Sequence, residues 1–108
     1  MSTEDTIRKQ LATYPVLIYI KGTADDPKCG FSKAAVEALK SAQIPFTYVN
    51  ILEAPFIREK LPKISNWPTF PQLFFEGELI GGSDVVCDMV SDGSLIKAYQ
   101  ELSARAEA

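Results

Sequence analysis

The sequence predicts an α/β fold, a four-stranded mixed sheet with helices on both faces. Three observations carry that reading. Val16–Ile20 is an unbroken, β-prone apolar run of the kind found in a strand covered on both faces. A helical pattern and a second strand-like run at residues 46–50 follow it, and strand, helix, strand implies a right-handed parallel crossover. Gln72–Phe75 and Glu78–Gly81 flank Glu76-Gly77, the pattern of a two-residue antiparallel hairpin. One crossover and one hairpin make a mixed sheet, with helices left to cover its faces.

Taken in order, Ser2-Thr3-Glu4-Asp5-Thr6 supplies hydroxyl caps and first-turn acids, and Ile7 and Leu11 lie one turn apart, so a short helix begins here and Pro15 ends it. Residues 22–28 form a loop by composition. A second helix starts near Cys29 with Ala34, Ala35, Ala38, Leu39 and Ala42 as its small packing face, and Pro45 stops it. A third helix enters at Pro55, a favoured first-turn position, with Phe56, Ile57, Leu61 and Ile64 on one side, and Pro62 should end or kink it. After the hairpin, Ser83-Asp84 is expected to cap a helix carrying Val85, Val86, Met89 and Val90. Gly93 interrupts it, and Leu95, Ile96, Tyr99 and Leu102 give a last amphipathic helix before a polar tail.

The 108 residues suit one domain with a core over about residues 5–103, and folding would bury about 65% of the unfolded chain's surface. Composition narrows the chemistry. With no histidine, imidazole-activated nucleophiles, facial metal triads and Cys/His zinc sites are excluded. Two cysteines cannot supply a four-thiolate metal site from one chain and are too few for a disulfide framework. Fourteen acids against eleven bases, with no dense basic run, argue against nucleic acid as a partner. No apolar stretch approaches a membrane span, and the polar, acidic start is unlike an export signal, so a cytoplasmic location is expected.

Cys29-Gly30-Phe31-Ser32 has the spacing of a two-thiol redox motif with a hydroxyl in place of the second thiol. An internal disulfide cannot form there. One thiol at a helix N-terminus, beyond the carboxyl end of the first strand, is expected to have a lowered pKa, helped by Lys21 and Lys28 and opposed by Asp25 and Asp26. The bland alternative is a small, inert loop residue.

Lys21-Gly22-Thr23, Lys28-Cys29-Gly30-Phe31-Ser32, Ile57-Arg58, Trp67-Pro68-Thr69-Phe70-Pro71-Gln72-Leu73 and Gly81-Gly82-Ser83-Asp84, in this order and spacing over residues 16 to about 99, resemble the monothiol glutaredoxins. The resemblance implies a thioredoxin-like fold, a cis Phe70–Pro71 bond and a glutathione site. In that site, Lys21 and Arg58 hold the glycine-end carboxylate. The backbone of Phe70, between Thr69 and Pro71, pairs with the cysteinyl part, and Ser83 and Asp84 bind the γ-glutamyl end. Each role is chemically sensible, since a helix N-terminus offers N–H groups to a carboxylate and Asp84 can accept from an ammonium. Taken singly, Lys21 and Arg58 also read as solvated charges and Asp84 as a cap.

The leading functional expectation is an iron–sulfur carrier. Cys29 and bound glutathione each supply one thiolate, and a second copy with its own glutathione completes the ligand set of a [2Fe–2S] cluster. By resemblance, BolA-family proteins and apo iron–sulfur proteins are partners. The alternative is a glutathione-dependent thiol–disulfide oxidoreductase of weak turnover, in which Cys29 attacks a mixed disulfide. An adaptor whose thiol is incidental ranks third. Trp67 is expected at the rim of the site, Phe31 over or beneath the thiol, and Cys87 packed among Val86, Met89 and Val90.

Overall fold

All five side chains of Val16–Ile20, strand β1, are buried, which explains the absence of polar alternation in this run. The computed structural model describes residues 2–107. Strand β2 (Thr47–Asn50) pairs with β1 in parallel, and β3 (Gln72–Phe75) pairs with its other edge antiparallel. Strand β4 (Glu78–Gly81) closes the hairpin, giving the order β2-β1-β3-β4. Glu76 and Gly77 both adopt positive φ, 47° and 81°, as a two-residue hairpin turn requires. The thioredoxin-like order of strands and helices inferred from the motifs is therefore present.

The helices divide between two core layers. On one face, Val16, Ile18, Ile20, Leu73 and Phe75 pack with helices α2 (Gly30–Ser41), α4 (Ser83–Ser91) and α5 (Ser94–Glu107) through Ala35, Val36, Leu39, Val86, Leu95 and Leu102. On the other, Leu17, Tyr19 and Phe74 meet Ile7 of α1 (Thr3–Thr13) and Ile57 and Leu61 of α3 (Pro55–Ser65). Tyr19 and Phe74 stack edge to face at 5.8 Å between centroids. Each fully buried Leu or Ile here is worth about 1.5–3 kcal/mol, so truncating Leu17 or Ile18 to alanine removes about 2–5 kcal/mol.

Several boundaries differ from the sequence pattern for local reasons. Ser2 does cap α1, its hydroxyl accepting from Asp5 N–H at 3.1 Å. Helix α2 stops at Ser41, ahead of Pro45, because Gln43 turns left-handed (φ 57°) and the N–H of Ile44 reaches back to Leu39 C=O at 3.0 Å. This Schellman closure places two buried side chains, Ile44 and Leu39, against the same core. Strand β2 begins at Thr47 rather than Phe46, the first residue in register with Leu17. Phe56 is 72% exposed and off the packed face, since Ile57, Leu61 and Ile64 alone follow the i, i+4, i+7 row. Pro62 does not end α3, which continues to Ser65 and closes on left-handed Asn66. The missing N–H removes one bond to a helix already anchored by Leu61. Gly82, not Ser83 or Asp84, is the N-cap of α4, so those two residues stand in its first turn. The expected polar tail is helical to Glu107. No helix among the described residues is long and apolar enough to cross a membrane.

Candidate functional site

The carboxyl end of β1 runs into Lys21 and Gly22, and the following loop folds back on itself before α2. Gly22 N–H donates to Asn50 Oδ1 (2.9 Å), Lys28 N–H to Lys21 C=O (2.8 Å), and Thr23 and Asp26 exchange backbone bonds at 3.2 Å. Gly22 has φ +100°, and a Cβ there would stand 2.6 Å from the carbonyl oxygen of Asp26, so only glycine fits. Asn50 Oδ1 also accepts from Leu52 N–H (3.0 Å), tying the loop to the end of β2.

That loop delivers Cys29 as the N-cap of α2, half-buried and in extended conformation. Its thiol pKa is lowered. The backbone N–H of Ser32 contributes most, slight burial opposes it, and the N–H of Phe31, the charge of Lys21 and the Ser32 hydroxyl add to the lowering. Ser32 is fully buried, and its Oγ accepts from Lys21 N–H at 3.1 Å, which leaves the hydroxyl proton for the sulfur. The residue standing where a second thiol would be thus helps to lower the pKa of the first, mainly through its N–H and less through its hydroxyl. Lys28, expected to act on the thiol, is paired with Asp26 at 2.6 Å, and Asp25 faces Lys40 at 3.7 Å. Lys21 is the side chain whose charge acts on Cys29.

Cys29 opens into a cavity of about 540 Å³ whose walls come from five segments. Lys21 and Phe31 flank the thiol, α3 contributes Arg58 and Pro62, the 67–71 loop contributes Trp67, Thr69, Phe70 and Pro71, and α4 contributes Ser83, Asp84 and Val85. All the residues predicted for the site line this one cavity. The Phe70–Pro71 bond is cis, as the resemblance implies. The first-turn N–H groups of α4 have no intrahelical partner, so this wall offers donors and a positive dipole end. Gly82 permits the wall to close up: a Cβ there would lie 3.2 Å from Trp67 Nε1 and 3.3 Å from Pro71 C=O.

Trp67 is half-buried at the rim, as expected, and Phe31 is 65% exposed beside the thiol rather than packed beneath it. Cys87 lies outside the cavity, half-buried, with its S–H directed at Ala34 C=O (3.8 Å), and both cysteines are free. Two residues that shape the site, Asn50 and Gln72, have no role there in the sequence pattern, although Gln72 stands within the Trp67–Leu73 motif. The available signal was a polar residue at a strand terminus, Asn50 closing β2 and Gln72 opening the fully buried β3.

The sequence and the fold both have counterparts among known proteins. A family profile described as Glutaredoxin matches residues 16–80. The chain belongs to the glutaredoxin family. With one cysteine in Cys-Gly-Phe-Ser, it is a monothiol glutaredoxin. It is 49% identical over 105 residues to Glutaredoxin 4 of Pasteurella multocida, covering 97% of this chain and 96% of that one. Against Glutaredoxin 4 of Escherichia coli K12 the identity is 47% over 104 residues, covering 96% and 90%. Among solved structures, reduced poplar apo GrxS14 superposes with a TM-score of 0.81 at 39% identity, covering 95% of this chain and 94% of that one. The holo form of glutaredoxin C1 from Populus tremula x tremuloides shares the fold (TM-score 0.82) at 20% identity, covering 93% and 88%.

Among the described residues no cluster of three or more His, Cys, Asp or Glu side chains is placed to hold a metal ion. At the cavity this glutaredoxin presents one cysteine, Cys29.

Proposed function

We propose that this glutaredoxin binds glutathione along the cavity and carries a [2Fe–2S] cluster, as cargo, between two copies of the chain, each copy supplying Cys29 and one glutathione thiolate. The observation that carries the reading is Cys29 itself, a lone thiol with lowered pKa opening into a cavity that also holds two cations and a helix N-terminus. Glutathione suits such a lining. Lys21 and Arg58 complement a carboxylate, the backbone of Phe70 with flanking Thr69 and Pro71 complements an extended peptide, and the α4 N–H groups at Ser83 with the Asp84 carboxylate complement an α-amino acid end. The bulk of the site leaves the thiol accessible, which exchange of cargo with an apo iron–sulfur protein or a BolA-family partner needs. Two free cysteines fit a reducing cytoplasm.

The same thiolate supports a second, weaker activity. Cys29 attacks the glutathione sulfur of a protein–glutathione disulfide, the protein leaves as its thiolate, and Cys29 becomes glutathionylated. A second glutathione thiolate then attacks that sulfur, forming oxidised glutathione and restoring Cys29. Ser32 cannot resolve the intermediate, so each cycle consumes external glutathione.

Anaerobic reconstitution with iron and sulfide separates the two readings. The carrier gives visible charge-transfer absorption that requires both Cys29 and glutathione. A chain that stays colourless while reducing a glutathione mixed disulfide rapidly is an oxidoreductase instead.

A further inference from the structure

Gln72 is the first residue of β3 and fully buried, in register with Tyr19 and on the sheet face of Leu17, Tyr19 and Phe74, the face that carries one of the two hydrophobic core layers. Its Nε2 donates to two main-chain carbonyls, Trp67 at 2.9 Å and Thr69 at 3.1 Å. Its own Oε1 is buried with no hydrogen-bond partner among the described residues. Burying an amide with one end unsatisfied is unfavourable, and a leucine would fill this layer without that penalty. The position therefore uses the donor half of the amide and tolerates the orphaned acceptor. Both carbonyls belong to the loop that forms one wall of the cavity, and among the described residues no other side-chain hydrogen bond holds residues 67–70.

We infer that Gln72 is a positioning residue for ligand recognition: its two hydrogen bonds fix the 67–69 segment and so set the place of the Phe70 backbone that an extended thiol peptide pairs with. The inference rests on the glutathione reading above for its ligand, and on the hydrogen bonds alone for its mechanism. Gln72 does not line the cavity and acts through Trp67 and Thr69.

The test uses the full chain. Gln72→Met keeps length and burial but removes the donor, and Gln72→Glu keeps the shape while setting an oxygen against both carbonyls. Both variants should bind glutathione at least about tenfold more weakly by calorimetry, the loss expected when the bonds that preorganise a binding loop are removed. The chain's one tryptophan, Trp67, should become more accessible to acrylamide quenching in both. Phe74→Leu, a core change on the same sheet face, should lower the melting temperature while leaving affinity and quenching as in the native chain. A reading that needs no variant comes from NMR of the native protein, in which the Gln72 side-chain amide protons should resist solvent exchange. Native-like affinity and quenching in both Gln72 variants, or rapid exchange at Gln72, overturns the inference. Should the native chain itself fail to bind glutathione, the glutathione reading falls, and loop-setting by Gln72 is decided by the quenching and exchange results.

Discussion

Replacing Gly22 by alanine tests whether the 22–28 loop sets the thiol. The added Cβ would stand 2.6 Å from Asp26 C=O and 2.7 Å from Lys28 N, both backbone atoms, in a residue with φ +100°. Neither atom can retreat alone, because Lys28 N–H donates to Lys21 C=O and Asp26 C=O accepts from Thr23 N–H. The unfavourable φ costs about 1–3 kcal/mol, and loosening those two bonds adds about 1 kcal/mol each, about 3–5 kcal/mol in all. At about 4 °C per kcal/mol for a chain of this length, the melting temperature should fall by about 12–20 °C. Gly30→Ala is the matched control: its Cβ meets nothing within 4 Å and its φ is ordinary, so melting should stay within about 3 °C or rise slightly. Thermal melts by circular dichroism read the stability, and the rate of Cys29 alkylation by iodoacetamide reads the thiol. Gly22→Ala should alkylate more slowly at neutral pH as Cys29 shifts relative to Lys21 and Ser32. Melting within about 3 °C of the native chain and an unchanged alkylation rate would refute the reasoning.

Further outcomes follow from the same geometry. The pH midpoint of Cys29 alkylation should lie below the ordinary thiol value near 9 and rise in Lys21→Met, while Ser32→Ala raises it only in part because the Ser32 N–H, the larger contributor, remains. Since the folded thiol loses its proton at lower pH than the unfolded one, its contribution to stability is full above about pH 9 and is lost as pH falls through the folded pKa. Cys29→Ser should flatten that slope in pH-dependent unfolding, and an unchanged slope contradicts the lowered pKa. Arg58→Ala and Lys21→Ala should each weaken glutathione binding about three- to tenfold, an effect that shrinks with added salt because both side chains are partly solvated. Binding equally tight in both variants would remove these cations from the site. Cys87→Ala should lower stability by about 1 kcal/mol or less. Peptide mapping after mild oxidation with glutathione should find the adduct on Cys29, and a Cys29–Cys87 crosslink would contradict the placement of Cys87 outside the cavity.

Most of the fold was legible because its elements obey short-range rules. Val16–Ile20 read as buried from composition, Glu76-Gly77 as a hairpin from turn chemistry, and Ser2 as a cap from its hydroxyl. The site residues were legible as a set through their motifs, and the structure gathers them around one cavity. What escaped the sequence depends on which of several nearby groups a side chain or carbonyl meets once the backbone has turned. Asp26 neutralises Lys28, Gln43 closes α2 before Pro45 can act, and Phe56 faces away from a core that Ile57 and Leu61 satisfy. Pro62 reads as a breaker locally but is tolerated within a helix anchored on both sides of it. Gln72 looks like an ordinary strand residue until the carbonyls of Trp67 and Thr69 are seen beside its amide.

Cluster sharing between two chains is tested most directly by native mass spectrometry of the anaerobically reconstituted protein. One chain offers one cavity thiolate and a [2Fe–2S] cluster takes four ligands, so the expected species contains two chains, two glutathiones and one cluster, and is absent from Cys29→Ser. A cluster carried by one chain, or by two chains without glutathione, would contradict it.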